Sequence, residues 1–99
     1  MTAIYHITTI KEWELAKSKG FYEAPSLATE GFIHCSEDRQ VAGVLERYFE
    51  GQTNLVKLLI DTNKLSGKLV FDWSPSLADT FPHVYGPINL DAVIEAISI

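Results

Sequence analysis

Three histidines stand in apolar or aromatic segments of this chain: Tyr5-His6-Ile7-Thr8, Gly31-Phe32-Ile33-His34-Cys35-Ser36 and Phe81-Pro82-His83-Val84-Tyr85-Gly86-Pro87. An imidazole titrates near neutrality and can donate, accept or act as a base. The first two segments read as strands that run straight into helices. A side chain at such a junction faces the unpaired N–H groups and the positive end of the helix, where ligand sites are built. By period-2 alternation His34 and Ser36 share one strand face and Cys35 takes the other. Ser36 also reads as the N-cap of the next helix. Cys35 reads as a small packing group, since a reactive thiol needs an electropositive and accessible setting. The third segment, punctuated by Pro82, Gly86 and Pro87, reads as an ordered loop closing over a site, with His83 and Tyr85 lining it.

Other chemistries find no footing. The chain has no Gly-rich phosphate loop, no Gly-x-Ser-x-Gly, no Cys-x-x-Cys and no His-Glu-x-x-His. The three histidines are widely separated and lack the paired spacing of a zinc site, so no metal is expected.

These residues must be positioned by one domain over residues 1–99. With 46% hydrophobic and 21% charged residues, the composition is that of an ordinary globular domain. No apolar run reaches the ~20 residues of a membrane span, and Met1-Thr2-Ala3 leads into a strand without a leader pattern. One cysteine cannot form an internal disulfide, which points to the reducing cytoplasm. The net charge is −5 and the only arginines are Arg39 and Arg47. Nucleic acid and acidic membrane surfaces need clustered cations, so neither is an expected partner; a small-molecule ligand is.

Residues 3–8 read as a strand, and Thr9 with Glu12 as a capping box. The helix that follows, with the apolar stripe Ile10, Trp13 and Ala16, stops at Gly20. Residues 20–30 read as a loop, with or without one helical turn, and 31–35 as a second strand. Residues 37–50 form the clearest helix, with Val41, Val44, Leu45, Tyr48 and Phe49 at i, i+3, i+4, i+7, i+8, ending at Gly51. Residues 54–61 read as a central strand, 68–73 as a strand paired with it, 74–87 as a long loop or short helical turn, and 93–99 as a closing strand. The expected fold is α+β: a small mixed or antiparallel sheet of five or six strands, one face covered by two main helices.

The order of these segments resembles the DUF952 family, small bacterial proteins of unknown function. The resemblance rests on Ile4-Tyr5-His6-Ile7-Thr8, Trp13, Gly20, Ser26-Leu27, Glu30-Gly31-Phe32-Ile33-His34-Cys35-Ser36 and Phe81-Pro82-His83-Val84-Tyr85-Gly86-Pro87. The first half is in turn similar to the ADP-ribosyltransferase superfamily and to the N-terminal half of RNA 2′-phosphotransferases. That resemblance implies an ADP-ribosyltransferase-like fold and NAD as co-substrate. It puts His6, Thr8 and Ser36 on the cofactor, and His34, His83 and Tyr85 in substrate orientation and acid–base work. The superfamily's late-strand glutamate corresponds to Glu95 or has its place taken by His83, and the phosphate-holding arginines have no counterpart. A NAD-dependent transferase is the leading expectation. A non-catalytic nucleotide or metabolite binding module, and an interaction domain presenting Trp73, Phe81 and Tyr85, are the alternatives.

Overall fold

A computed structural model describes residues 3–99; Met1 and Thr2, where the leaderless start was read, lie outside the described residues. Strand β1, Ala3–Thr9, ends where Thr9 Oγ1 accepts the Glu12 N–H at 3.1 Å and so caps helix α1, Ile10–Lys19. Gly20 closes α1 at φ 96°, a left-handed conformation that glycine adopts without Cβ strain. The stretch expected as a loop with or without one helical turn holds a short helix α2, Pro25–Glu30, in line with that option, and also a two-residue strand β2, Phe21–Tyr22, which was not expected. Pro25 at the first turn and Gly31 at the C-cap are its start and stop signals. Six residues are too few to show an apolar period.

Strand β3, Ile33–His34, leads through a 3-10 turn, Asp38–Gln40, into helix α3, Val41–Tyr48. The helical segment is capped by Glu37 and not by Ser36: the Glu37 N–H donates to Gln40 Oε1 at 2.9 Å, while Ser36 exchanges backbone bonds with Tyr5. Buried Gln40 donates to Asp79 Oδ2 and Thr80 O, at 2.9 and 2.8 Å, and Arg39 forks onto the same Asp79 carboxylate. The remaining elements are β4 (Leu55–Asp61), β5 (Lys68–Ser74), β6 (Asp79–Tyr85), β7 (Ile88–Asn89) and β8 (Val93–Ser98), with 3-10 turns at Thr62–Lys64 and Leu90–Ala92.

All strand pairings are antiparallel, in sheets ordered β1-β4-β8, β3-β6-β5 and β2-β7. The result is an α+β domain with eight strands among the described residues, more than the five or six expected, because two-residue β2 and β7 and the seven-residue β6 lie in stretches not read as strands. β4 is central, as its apolar run implied. β5, however, pairs with β6 and not with β4. A 3-10 turn starting after Asp61, whose carboxylate accepts the Asn63 N–H, carries the chain away from β4.

The expected loop over 74–87 is in fact a tight turn followed by β6, the middle strand of its sheet. Proline is rare in such a strand because it has no N–H. Here Pro82 marks the point where a ladder ends: Cys35 donates to Pro82 O at 2.9 Å, but Pro82 cannot return the bond. β3 therefore stops at His34. The chain then meets β1 at a single bridge, Tyr5 with Ser36, with N–H···O distances of 2.8 and 2.7 Å. Beyond that bridge the two larger sheets diverge.

The main helices lie on opposite faces of β1-β4-β8, not on one. Ala16 and Trp13 of α1 join Ile4, Val56, Leu58 and Ile60 in one core. Val41 and Leu45 of α3 pack with Ile7, Leu55 and Tyr5 in another. Ile10, counted in the α1 stripe, is exposed. Among the described residues no helix is long and apolar enough to cross a membrane.

Candidate functional site

The gap opened by that divergence is a cleft of about 680 Å³. It runs along the free edge of β1, which is why four consecutive residues, His6 to Thr9, line it. The ends of β3 and β5, the start of α2 and the outer side of α3 add to it, with Glu12 of α1, Tyr22 of β2, and Phe81 and His83 of β6. Val44 and Tyr48 of the α3 stripe face this cleft while Val41 and Leu45 face the core. The helix thus has a wider apolar stripe than its core contact requires.

The floor is a closed chain of hydrogen bonds. His6 Nδ1 bonds the His34 carbonyl, and His6 Nε2 lies 2.7 Å from Tyr22 Oη, which lies 3.0 Å from Thr8 Oγ1. A carbonyl only accepts, so Nδ1 carries the proton. Burial pushes His6 down to about 4, against the help of that carbonyl, and the ring is neutral at pH 7. Nε2 then has a lone pair facing the Tyr22 hydroxyl, whose single proton goes to it or to Thr8 Oγ1. Burial likewise pushes the Tyr22 phenol up to about 12. Both His6 nitrogens are occupied inside the protein. Thr8 Oγ1 keeps lone pairs toward the cleft. Ser36 is buried as a residue, yet its hydroxyl makes no hydrogen bond and is not sealed from solvent.

The wall is built differently. His83 Nδ1 donates to Asp72 Oδ2 at 2.7 Å, and Tyr85 Oη donates to the same oxygen at 2.6 Å. Those bonds, the one from Tyr85 first, hold the Asp72 carboxyl below the usual range, and Asp72 in turn raises the Tyr85 phenol. The His83 ring stacks on Phe32 with centroids 4.1 Å apart and planes at 14°. His34, directly opposite His83 in the β3–β6 register, meets it edge-on at 5.0 Å and holds Glu30 through Nε2 at 3.0 Å. Among the described residues His83 Nε2 has no hydrogen-bond partner, and it is not sealed from solvent. An imidazole oriented by a carboxylate at one nitrogen, with the other open, is the geometry of a general base or acid.

Of the six residues singled out from the sequence, His6, Thr8, His34, Ser36 and His83 line the one cleft. Tyr85 does not; it touches Phe32 and Asp72 behind the wall. Glu95 is exposed on β8, opposite Leu59, and does not line the cleft. Burial pushes the Cys35 thiol up, out of the reactive range. Phe81 is buried while Trp73 and Tyr85 are exposed, so these three aromatics do not share one open surface. No group of three or more His, Cys, Asp or Glu among the described residues is placed to hold a metal.

Three functional residues escaped the sequence reading. Asp72 lay in plain view on the expected strand 68–73, an acid between Phe71 and Trp73, and that context was its signal. Paired across from Phe81, it reaches His83 diagonally. Tyr22 and Glu30 lay in the stretch read as a loop, where nothing pointed them at a histidine.

Comparison with known proteins places this arrangement. A family model described as "Protein of unknown function (DUF952)" matches residues 7–96. No curated protein matches the chain. The crystal structure of protein CC0527 from Caulobacter crescentus is similar at 33% identity and a TM-score of 0.87, covering 96% of this chain and 83% of that one. The solution NMR structure of CC0527 gives 33% identity and a TM-score of 0.84, over 100% of this chain and 85% of that one.

Proposed function

The chain belongs to the DUF952 family, proteins of unknown function, and from the geometry of its cleft we propose an acid–base enzyme acting on the N-ribosyl end of a nucleotide such as NAD. One observation carries the reading: a carboxylate-oriented imidazole, Asp72–His83, stands at the wall of a cleft that also holds Thr8, Ser36 and His34. The similarity of the first-half motifs to ADP-ribosyltransferases supplies the reaction class.

In that reaction an acceptor oxygen attacks C1′ of the ribose as the C–N bond breaks. The electron pair leaves with the nicotinamide, which departs neutral, and the acceptor's proton passes to His83 Nε2 while Nδ1–H stays on Asp72. Thr8 and Ser36 hold the ribose hydroxyls. His6 is a positioning residue that sets Tyr22 and, through it, Thr8. The oxocarbenium-like charge of the transition state is favoured by a cleft lined by Glu12 and by no lysine or arginine.

The test is titration of isotopically labelled protein with NAD, followed by a nicotinamide-release assay. Amide shifts clustered at residues 5–8, 33–36 and 82–84, with release abolished in His83→Gln, support the proposal. Absence of shifts with both NAD and nicotinamide riboside at millimolar concentration overturns it. A binding module without turnover is the second reading, favoured by one specific feature: Ser36 makes no hydrogen bond to His83, so no serine nucleophile is activated. Shifts without release would select it.

A further inference from the structure

We infer that the ligand this cleft is built for is a dephosphorylated N-ribosyl heterocycle, neutral or cationic, in preference to a phosphate-bearing nucleotide. The inference rests on the N-ribosyl reading above and narrows its substrate class.

It starts from charge. Glu12 is the acid on the cleft wall, and no lysine or arginine lines the cleft. The cationic side chains near it are engaged elsewhere. Arg39 forks onto Asp79 at 2.8 and 3.1 Å, and Lys19 holds Glu23 at 3.0 Å. Arg47 stands over the Tyr48 ring at 6.0 Å and is not part of the lining. Two of the three imidazoles already have their own carboxylates, Asp72 for His83 and Glu30 for His34. The third, His6, is sealed in the floor. A phosphate entering this space would shed water and find no positive partner, a large penalty for a multiply charged anion. The chain's net charge of −5 opposes its approach as well.

Shape and surface point the same way. Tyr48 and Trp73 both line the cleft, yet they are 58% and 61% exposed, so they stand at its mouth. Phe81 is buried deeper. Aromatic faces of this kind stack on a flat heterocycle and attract a positively charged one, such as a pyridinium. Below them, Thr8 and Ser36 offer hydroxyl-to-hydroxyl bonds suited to a ribose. The polar groups of this cleft therefore match an uncharged sugar, and its aromatic groups match a ring. No group is left to match a phosphate.

The experiment compares nicotinamide riboside, nicotinamide mononucleotide and NAD, each titrated into the labelled full chain and followed by the amides of residues 5–8, 33–36 and 81–83. The riboside is expected to bind about tenfold or more tightly than the mononucleotide, a difference set by one uncompensated phosphate. Glu12→Gln should narrow that ratio several-fold, because the Thr9 cap uses the Glu12 backbone and the fold is kept. A mononucleotide that binds as well as or better than the riboside overturns the inference and leaves the N-ribosyl reading intact. Silence from all three ligands overturns both.

Discussion

At the floor of the cleft His6 is enclosed, neutral, and bonded through both nitrogens to the protein itself. At the wall His83 gives one nitrogen to a half-buried carboxylate and leaves the other without a hydrogen-bond partner among the described residues. The two imidazoles line the same cleft and come from the same residue type, so their difference isolates what surroundings do. Around His6, desolvation removes the charged form and a backbone carbonyl selects the tautomer. What remains is a rigid orienting group. Around His83, the Asp72 carboxylate orients the ring through Nδ1–H, and Nε2 stays open to the cleft. One cleft thus holds two differently placed histidines, set apart by burial and partner choice, and the proposed function gives the first a positioning role and the second the proton transfer.

The most forceful way to break this comparison is to exchange His83 for glutamine, which can still pack on Phe32 but cannot act as a base. Nicotinamide release is expected to fall on the order of 10²–10⁴-fold, with the denaturation midpoint nearly unchanged. A large loss of stability with activity retained would reverse the two assignments.

The floor makes the opposite prediction, in stability and not in rate. His6 is held at about 4 in the folded protein, against 6.5 for a free imidazole. Between those values the unfolded chain binds a proton that the folded chain refuses. Stability should therefore decline as pH falls from 6.5 toward 4, by about 3 kcal/mol, and be insensitive to His6 above that window. Urea denaturation across this range measures it, and His6→Gln should lack this component of the slope.

Asp72→Asn sharpens the wall. The ring stays on Phe32 but its Nδ1–H now faces a neutral amide oxygen in place of a carboxylate, so turnover should drop on the order of tenfold or more with KM little changed. An unchanged turnover number would show the carboxylate to be a bystander. The smallest expected effect belongs to Tyr22→Phe, which deletes the link between His6 and Thr8. Leaving two buried partners unmatched should destabilise the protein by about 1–2 kcal/mol, read as a shift in the urea midpoint at constant m-value.

Local signals were legible wherever one segment carried the whole pattern. Thr9 caps α1 and Gly20 ends it as their types dictate. β4 is central because its apolar run leaves little polar surface to place against water. The placement of His34 at a strand end was legible, whereas His6 lies mid-strand in β1 and Ser36 beyond β3 at a single bridge to Tyr5. β6 was not legible, because Pro82 in a middle strand contradicts local propensity; only the arrival of Cys35 against its carbonyl shows what the proline does. The pairing of β5 with β6, and the placement of α1 and α3 on opposite faces, depend on contacts between residues far apart in the chain.

By itself, the amino-acid sequence determined that β1, α1, α3, β4, β5 and β8 form, that the net charge is −5, and that His34 ends a strand. Only the tertiary structure decided what the histidines are. Asp72 reaches His83, and Tyr22 reaches His6, across turns and sheets whose registers no local period encodes. The protonation and tautomer of an imidazole depend on burial and on its nearest partner, and both are properties of the assembled fold.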